Sequence, residues 1–205
     1  MSDASINIIN RALIKLGQPP VASIDQAPNG TMWGLLYIDQ RDLLLADYFW
    51  RFAMKTADLA PDADKPLSTY KYAYTLPADF ISLFKFGIAY KQPNYSNNII
   101  MSDERYSIEG NKILCDVPDV LRIMYTARVE DDKFFSPWFR EALVARMAAE
   151  MAARLKQSVE LQRALNQEFV SYLERAEAND AIMRDTETIG DSSWVGIREG
   201  WRNDY

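Results

Sequence analysis

The stretch that decides the fold is SPWFREALVARMAAEMAARL, residues 136–155. Large apolar side chains recur in it at every fourth position: Phe139, Leu143, Met147, Met151 and Leu155. This spacing places them on one side of an α-helix. Ser136 is typical of an N-cap residue, and Pro137 suits the first helical position. Six alanines keep this helix thin, so the stretch predicts the close packing of a helical bundle.

Helical periodicity also appears on both sides of this stretch. The first helix is predicted to end at Gly17, because Pro19-Pro20 follows and cannot continue it. A break near Gln157-Ser158 leads into a further apolar stripe, and the sequence leaves open whether 137–183 is one long helix or two. The predicted helices cover 3–16, 31–47, 137–156 and 159–183.

Between the second and third helices the apolar pattern changes to a period of two, which is typical of strands. Candidate strands cover 70–75, 81–90, 105–109, 112–116 and 121–128. Alternation in FWRFAM (49–54) predicts another short strand, and the polar stretch 58–69 predicts a loop. Gly110-Asn111 joins YSIE to KILC, which predicts a two-residue hairpin loop with Gly110 at positive φ. We therefore expect an α+β fold, in which a helical bundle carries one small antiparallel β-sheet lobe at about 51–128.

Composition excludes several kinds of function. The chain has 205 residues, no histidine and one cysteine, Cys115. Without histidine it lacks the commonest general base and metal ligand, so we expect no catalytic residue, no metal and no cofactor. The formal net charge of −6 is unlike that of proteins that grip DNA. There is no basic leader and no long apolar run, which predicts a protein made in a cytoplasm without membrane contact.

Acidic residues supply the only catalytic alternative. Paired carboxylates can hydrolyse a glycosidic bond, and candidates for such a pair are Glu150 with Glu160, or two of Asp58, Asp62 and Asp64. The run Glu130-Asp131-Asp132 is more typical of a solvated turn than of a metal site. We interpret Cys115, in a predicted strand, as a buried thiol rather than a nucleophile.

The last 21 residues, 185–205, lose all periodicity but keep large aromatic and basic side chains. Disordered tails are usually poor in aromatic residues, whereas Trp, Tyr and Arg are the residues that most often anchor protein interfaces. We call residues 185–205 the docking arm and predict that it orders on a partner. The alternative is that it folds back on its own core. The predicted contact residues are Trp194, Ile197, Arg198, Trp201, Arg202 and Tyr205.

Three phrases in chain order carry a family resemblance: LGQPPVASID (16–25), the pattern RDxLLxxxxWxFA (41–53) and YxYxLPADF (72–80). Together with the opening SINIINRALIK, they resemble the head-to-tail adaptor family of short-tailed bacteriophages, which includes the tail tubular protein A. The resemblance covers roughly residues 4–90, while the helices at 137–183 fit the family by layout alone. No family motif matches the docking arm.

The resemblance implies a noncatalytic virion protein at the head-tail junction. From the loss of periodicity we divide the chain into an adaptor domain at 1–184 and the docking arm. Members form a dodecameric ring beneath the portal protein, and other surfaces of the ring bind a downstream tail (nozzle or tubular) protein. DNA passes through the ring without sequence-specific binding. Two alternatives stay open from the residues alone. One is a tail-associated cell-wall hydrolase, and the other is a different head-completion or tail-attachment protein.

Overall fold

The computed structural model describes residues 3–23, 29–89, 99–101, 105–118 and 120–183. The helices are α1 (Asp3–Lys15), α2 (Gly30–Asp47), α3 (Pro137–Leu155) and α4 (Val159–Met183). The strands are β1 (Met54–Leu59), β2 (Tyr72–Thr75), β3 (Phe80–Ala89), β4 (Ile99–Met101), β5 (Tyr106–Glu109), β6 (Lys112–Cys115) and β7 (Leu121–Ala127). The predicted α+β class and the four predicted helices are confirmed, with ends within two residues of the prediction. The docking arm lies outside the described residues.

The helix ends follow from local sequence. Gly17 has a φ of +63°, and the Gln18 amide donates to the Leu13 carbonyl at 2.9 Å, which is the Schellman ending that glycine favours. The Ser136 hydroxyl accepts from the Phe139 amide at 3.3 Å, so the predicted cap of α3 is confirmed. Gln157, at a φ of +48°, separates α3 from α4, which answers the open question in favour of two helices.

Helix α3 forms the centre of the bundle, since four of the five residues of its apolar stripe and five of its six alanines are buried. Trp50 is fully buried against it, with its ring 4.9 Å from that of Phe139 in an edge-to-face contact. The Trp50 indole also donates to the Leu44 carbonyl at 2.6 Å. Phe52 and Phe135 complete an aromatic cluster around Phe139. Because Phe52 and Trp50 lead into the lobe, this cluster joins the lobe to the bundle.

The lobe contains two antiparallel sheets rather than the single sheet predicted. One has the strand order β1-β7-β3-β4 and the other the order β2-β6-β5. Glu109 pairs with Lys112 across the Gly110-Asn111 loop, and Gly110 has a φ of +60°, so the predicted hairpin is confirmed. Tyr74, Ile113 and Cys115 of the smaller sheet share a buried cluster with β7 residues of the larger one.

One further strand prediction and one loop prediction were wrong. Residues 51–53 form a 3-10 helix rather than a strand, because Trp50 and Ala53, three residues apart, are both buried and fit the three-residue period of that helix. Strand β1 then extends to Leu59, into the stretch predicted as a loop, and pairs with β7 from Met54↔Thr126 to Leu59↔Leu121. Its polar residues suit an edge strand. Strand β4 was not predicted.

Candidate functional site

Two of the three lobe carboxylates that could have formed a hydrolase site, Asp58 and Asp62, have basic partners instead. Asp58 accepts two hydrogen bonds from Arg122, at 2.6 and 2.7 Å, and this bidentate contact lowers the pKa of Asp58. Lys112 lies 2.7 Å from Asp62, and its hydrogen bond, with a further one from Thr75, lowers the pKa of Asp62. Both ion pairs connect neighbouring chain segments of the lobe.

Asp79, in the segment YxYxLPADF (72–80), likewise connects neighbouring chain segments of the lobe. Its carboxylate accepts from Lys55 at 2.6 Å and from the Tyr125 hydroxyl at 3.0 Å. Burial raises the pKa of Asp79, but these hydrogen bonds outweigh it and leave the pKa below its ordinary value. Burial and the bond to Asp79 together raise the pKa of Tyr125 to about 12. The three side chains tie β1 and β7 to the turn before β3.

Two carboxylates of the bundle, Glu150 and Glu168, also contact basic side chains. Glu150 lies 3.0 Å from Arg146, whose guanidinium also donates to Gln40 of α2 at 2.9 Å. Lys15 of α1 forms an ion pair with Glu168 of α4, and although burial raises the pKa of Glu168, the bonds from Lys15 and Tyr172 lower it overall. The Glu150 contact lies within α3, whereas the Arg146–Gln40 and Lys15–Glu168 contacts join different helices and help to fix how they lie against one another.

The acidic run at residues 130–132 is not wholly a solvated turn, contrary to the prediction. Asp131 accepts from the Lys133 amide at 3.0 Å and so caps the short 3-10 helix Asp132–Phe134, but Asp132 is only 6% exposed. Cys115 is buried in β6, as predicted. Within the described ranges, no group of three Cys, Asp or Glu residues is placed to hold a metal ion.

A general acid in glycoside hydrolysis needs a raised pKa so that it keeps its proton near neutral pH. Asp58, Asp62, Asp79 and Glu168 have lowered pKa values and are therefore ionised, with lysine or arginine partners. This arrangement stabilises the fold and is the opposite of what proton donation requires.

These lowered pKa values predict acid sensitivity. A carboxyl whose pKa is lower in the folded state stabilises the protein above its unfolded pKa, and that stabilisation is lost as the pH falls through the folded value. The unfolding temperature should therefore decrease from about pH 4 downward, near the ordinary carboxyl pKa. Asp79→Asn should flatten this decrease in a series of thermal melts. Asp64→Asn, at an exposed lobe position, is the control, and an equal flattening in both variants would contradict the role of Asp79.

Exposed apolar side chains on the bundle helices were not anticipated. Leu43 of α2 is 54% exposed, while Leu45 is fully buried. Leu35, two turns earlier, is 59% exposed. The signal in the sequence was Leu43-Leu44-Leu45, since three consecutive residues of a helix cannot all face one neighbour. Helix α4 likewise exposes Val159 and Val170.

The smaller sheet also exposes an edge strand. β5 pairs with β6 on one side, and Tyr106 and Ile108 of β5 are both exposed. Because Glu109 and Lys112 close the hairpin, the backbone groups of Tyr106 and Ile108 point away from β6. An exposed apolar edge of this kind is typical of surfaces that accept another chain.

The residues predicted for portal contact, Trp194, Ile197, Arg198, Trp201, Arg202 and Tyr205, all lie outside the described residues. The arm follows α4, whose Asp180 carboxylate accepts from the Arg51 amide at 3.0 Å. The described chain therefore ends close to the junction of bundle and lobe.

None of the described helices is long and apolar enough to cross a membrane. In comparisons with known proteins, no family model and no curated protein matches this chain.

Proposed function

We propose that this chain is a noncatalytic structural protein of a bacteriophage virion, a ring-forming adaptor between the portal protein and the tail. The observation that carries the proposal is the ordered set of three sequence segments that resemble the adaptor family. Each segment contains a residue at a point where elements of the fold end or connect. Gly17 ends α1, Trp50 connects α2 to the lobe, and Asp79 ties three segments of the lobe together. These are positions where residue identity is constrained by geometry, so the resemblance does not rest on surface composition.

The noncatalytic part of the proposal is supported by the state of the acidic side chains. Asp58, Asp62 and Asp79 are ion-paired, and their lowered pKa values suit structural cross-links. Glu150 contacts Arg146, which in turn contacts α2 and α4. Three candidates for a hydrolase pair, Asp58, Asp62 and Glu150, thus already form ion pairs within the fold.

The charge distribution suits a protein through which DNA slides. Residues 48–129, which include the lobe, carry 10 Lys/Arg and 9 Asp/Glu, whereas the rest of the chain carries 13 and 20. The acidity therefore belongs to the helical part and the docking arm. A helical part with excess negative charge repels phosphates rather than binding them, which lets DNA pass without being held.

In this proposal the docking arm binds the portal protein, and a different surface binds the downstream tail protein. Trp194, Trp201 and the two neighbouring arginines are the contacts we assign to the portal. An arm that orders only on its partner would delay ring assembly until the portal is present.

Sedimentation with purified portal rings of the same phage tests the proposal. We expect the chain to cosediment with the portal and to leave peptidoglycan intact in a parallel assay. Release of soluble fragments from peptidoglycan would favour the hydrolase instead. A chain that neither sediments with the portal nor degrades peptidoglycan would contradict the adaptor role and favour another head-completion or tail-attachment protein.

A further inference from the structure

Two helices of the bundle each have an exposed face on which two apolar side chains flank a charged side chain that has no ion-pair partner among the described residues. The α2 outer face consists of Leu35, Asp39 and Leu43, which are spaced four residues apart and therefore lie on one side of the helix. Leu35 and Leu43 are more than half exposed, and Asp39 between them is exposed as well. Among the described residues, Asp39 has no ion-pair or hydrogen-bond partner. Asp47, one turn beyond Leu43, is also exposed and unpaired there.

The α4 outer face consists of Val159, Arg163 and Val170. At 100° per residue these three positions fall within about 40° of one another, so they form a single surface row. Val159 is 60% and Val170 is 49% exposed. Arg163 is exposed and makes no ion pair within the described part of the chain, unlike Arg146 on the neighbouring helix.

The two faces lie on two different helices of the bundle, which both pack on α3. Arg146 of α3 contacts Gln40 of α2 and Asn166 of α4, so α2 and α4 both flank α3. The residues of the two outer faces are exposed, while Leu44 of α2 and Leu165 of α4 are buried in the common core. Two unlike surfaces on one subunit are what a closed ring needs, because each subunit in a ring presents one surface to the neighbour before it and another to the neighbour after it.

Charge complementarity selects how the two faces meet. Suppose that the two helices are antiparallel, with Asp39 opposite Arg163. Leu43 then lies opposite Val159, and Leu35 lies toward the end of the row that carries Val170. Asp47 then approaches the exposed Lys156 at the α3–α4 turn. In the parallel arrangement Asp47 would instead approach Glu174, an exposed acidic residue of the same α4 row, and the two would repel each other.

We propose that the α2 outer face of one subunit packs antiparallel on the α4 outer face of the next subunit, with an Asp39–Arg163 ion pair between two apolar contacts. This inference rests on the proposed ring and names its subunit interface. The ion pair sets the register of the two helices, while burial of the four aliphatic side chains supplies the hydrophobic part of the contact.

A charge swap tests this interface. Asp39→Arg and Arg163→Asp should each reduce the amount of ring formed on the portal by about tenfold or more, since every interface in the ring then opposes like charges. The double variant should restore assembly to near the wild-type amount. Asp64→Arg and Lys65→Asp make the same charge changes at exposed lobe positions and should assemble normally. Circular dichroism of each variant verifies folding, which these exposed positions should leave unchanged.

A disulfide test gives a second measurement that does not depend on charge. Leu43→Cys combined with Val159→Cys should yield a ladder of covalent oligomers when assembled rings are oxidised, and monomers when the portal is omitted. Full assembly of both single charge variants would contradict the proposed interface, and so would a folded double charge variant that does not assemble. Oxidised rings of the cysteine variant that give no covalent oligomers would contradict it as well. A wild-type chain that never assembles with the portal would instead overturn the proposed function itself.

Discussion

A chain that ends at residue 184 is expected to lose its binding to the portal ring while keeping its folded bundle and lobe. The docking arm carries two tryptophans and two arginines within nine residues, 194–202. Truncating residues of these types at the centre of an interface typically costs about 2 kcal/mol or more each. Removing the whole arm should therefore weaken binding by at least about a hundredfold, since about 1.4 kcal/mol corresponds to a factor of ten. Equilibrium binding to immobilised portal rings measures the difference.

Point substitutions in the full-length chain separate the side chains from the length of the arm. Trp194→Ala combined with Trp201→Ala should reproduce most of the loss, whereas Ser192→Ala combined with Ser193→Ala should bind like wild type. If the arm instead folds back on its own core, truncation should lower the unfolding temperature of the free chain. Tight portal binding by the truncated chain would contradict the assignment of the arm.

The second large effect is expected from Phe139→Ala, which should destabilise the protein by about 3–5 kcal/mol. Phe139 is fully buried, and its ring contacts those of Trp50, Phe52 and Phe135, at centroid distances of 4.9 to 5.0 Å. Alanine would leave a cavity at the junction of bundle and lobe and would remove three aromatic contacts. Denaturant unfolding followed by tryptophan fluorescence measures the change, because Trp50 lies in the same cluster.

Phe134→Ala is the matched control, since it makes the same substitution at a side chain that is 66% exposed. Its effect should stay within about 0.5 kcal/mol, as for most surface substitutions. Equal destabilisation by the two changes, or a Phe139→Ala variant as stable as wild type, would contradict the placement of Phe139 at the centre of the core.

The helices could be predicted from the sequence because their signals are local. The four-residue repeat of α3, the Ser136 cap and the glycine ending of α1 each lie within a few residues of the feature that they determine. The Gly110-Asn111 hairpin was predictable for the same reason. The short strand predicted at 49–54 was wrong, because alternating polarity over six residues also fits a 3-10 turn with Trp50 and Ala53 on the same side.

The features that could not be predicted from the sequence depend on contacts between residues that are far apart in the chain. Asp58 and Arg122 are 64 positions apart, so the ion pair that removes Asp58 from the catalytic candidates is invisible until β1 is paired with β7. The division of the lobe into two sheets likewise depends on which strands become neighbours. The outer faces of α2 and α4 emerged only from burial, since α2 carries apolar residues on both sides. The docking arm and its contact residues stay predictions.

Ring formation on the portal is tested most directly by the mass of the complex. Light scattering should give about 23.5 kDa for the free chain if assembly awaits the portal. After mixing with purified portal rings, we expect a single larger species whose added mass equals twelve copies of this chain, as the family resemblance implies. A portal whose mass stays unchanged in the presence of excess chain would contradict the adaptor role.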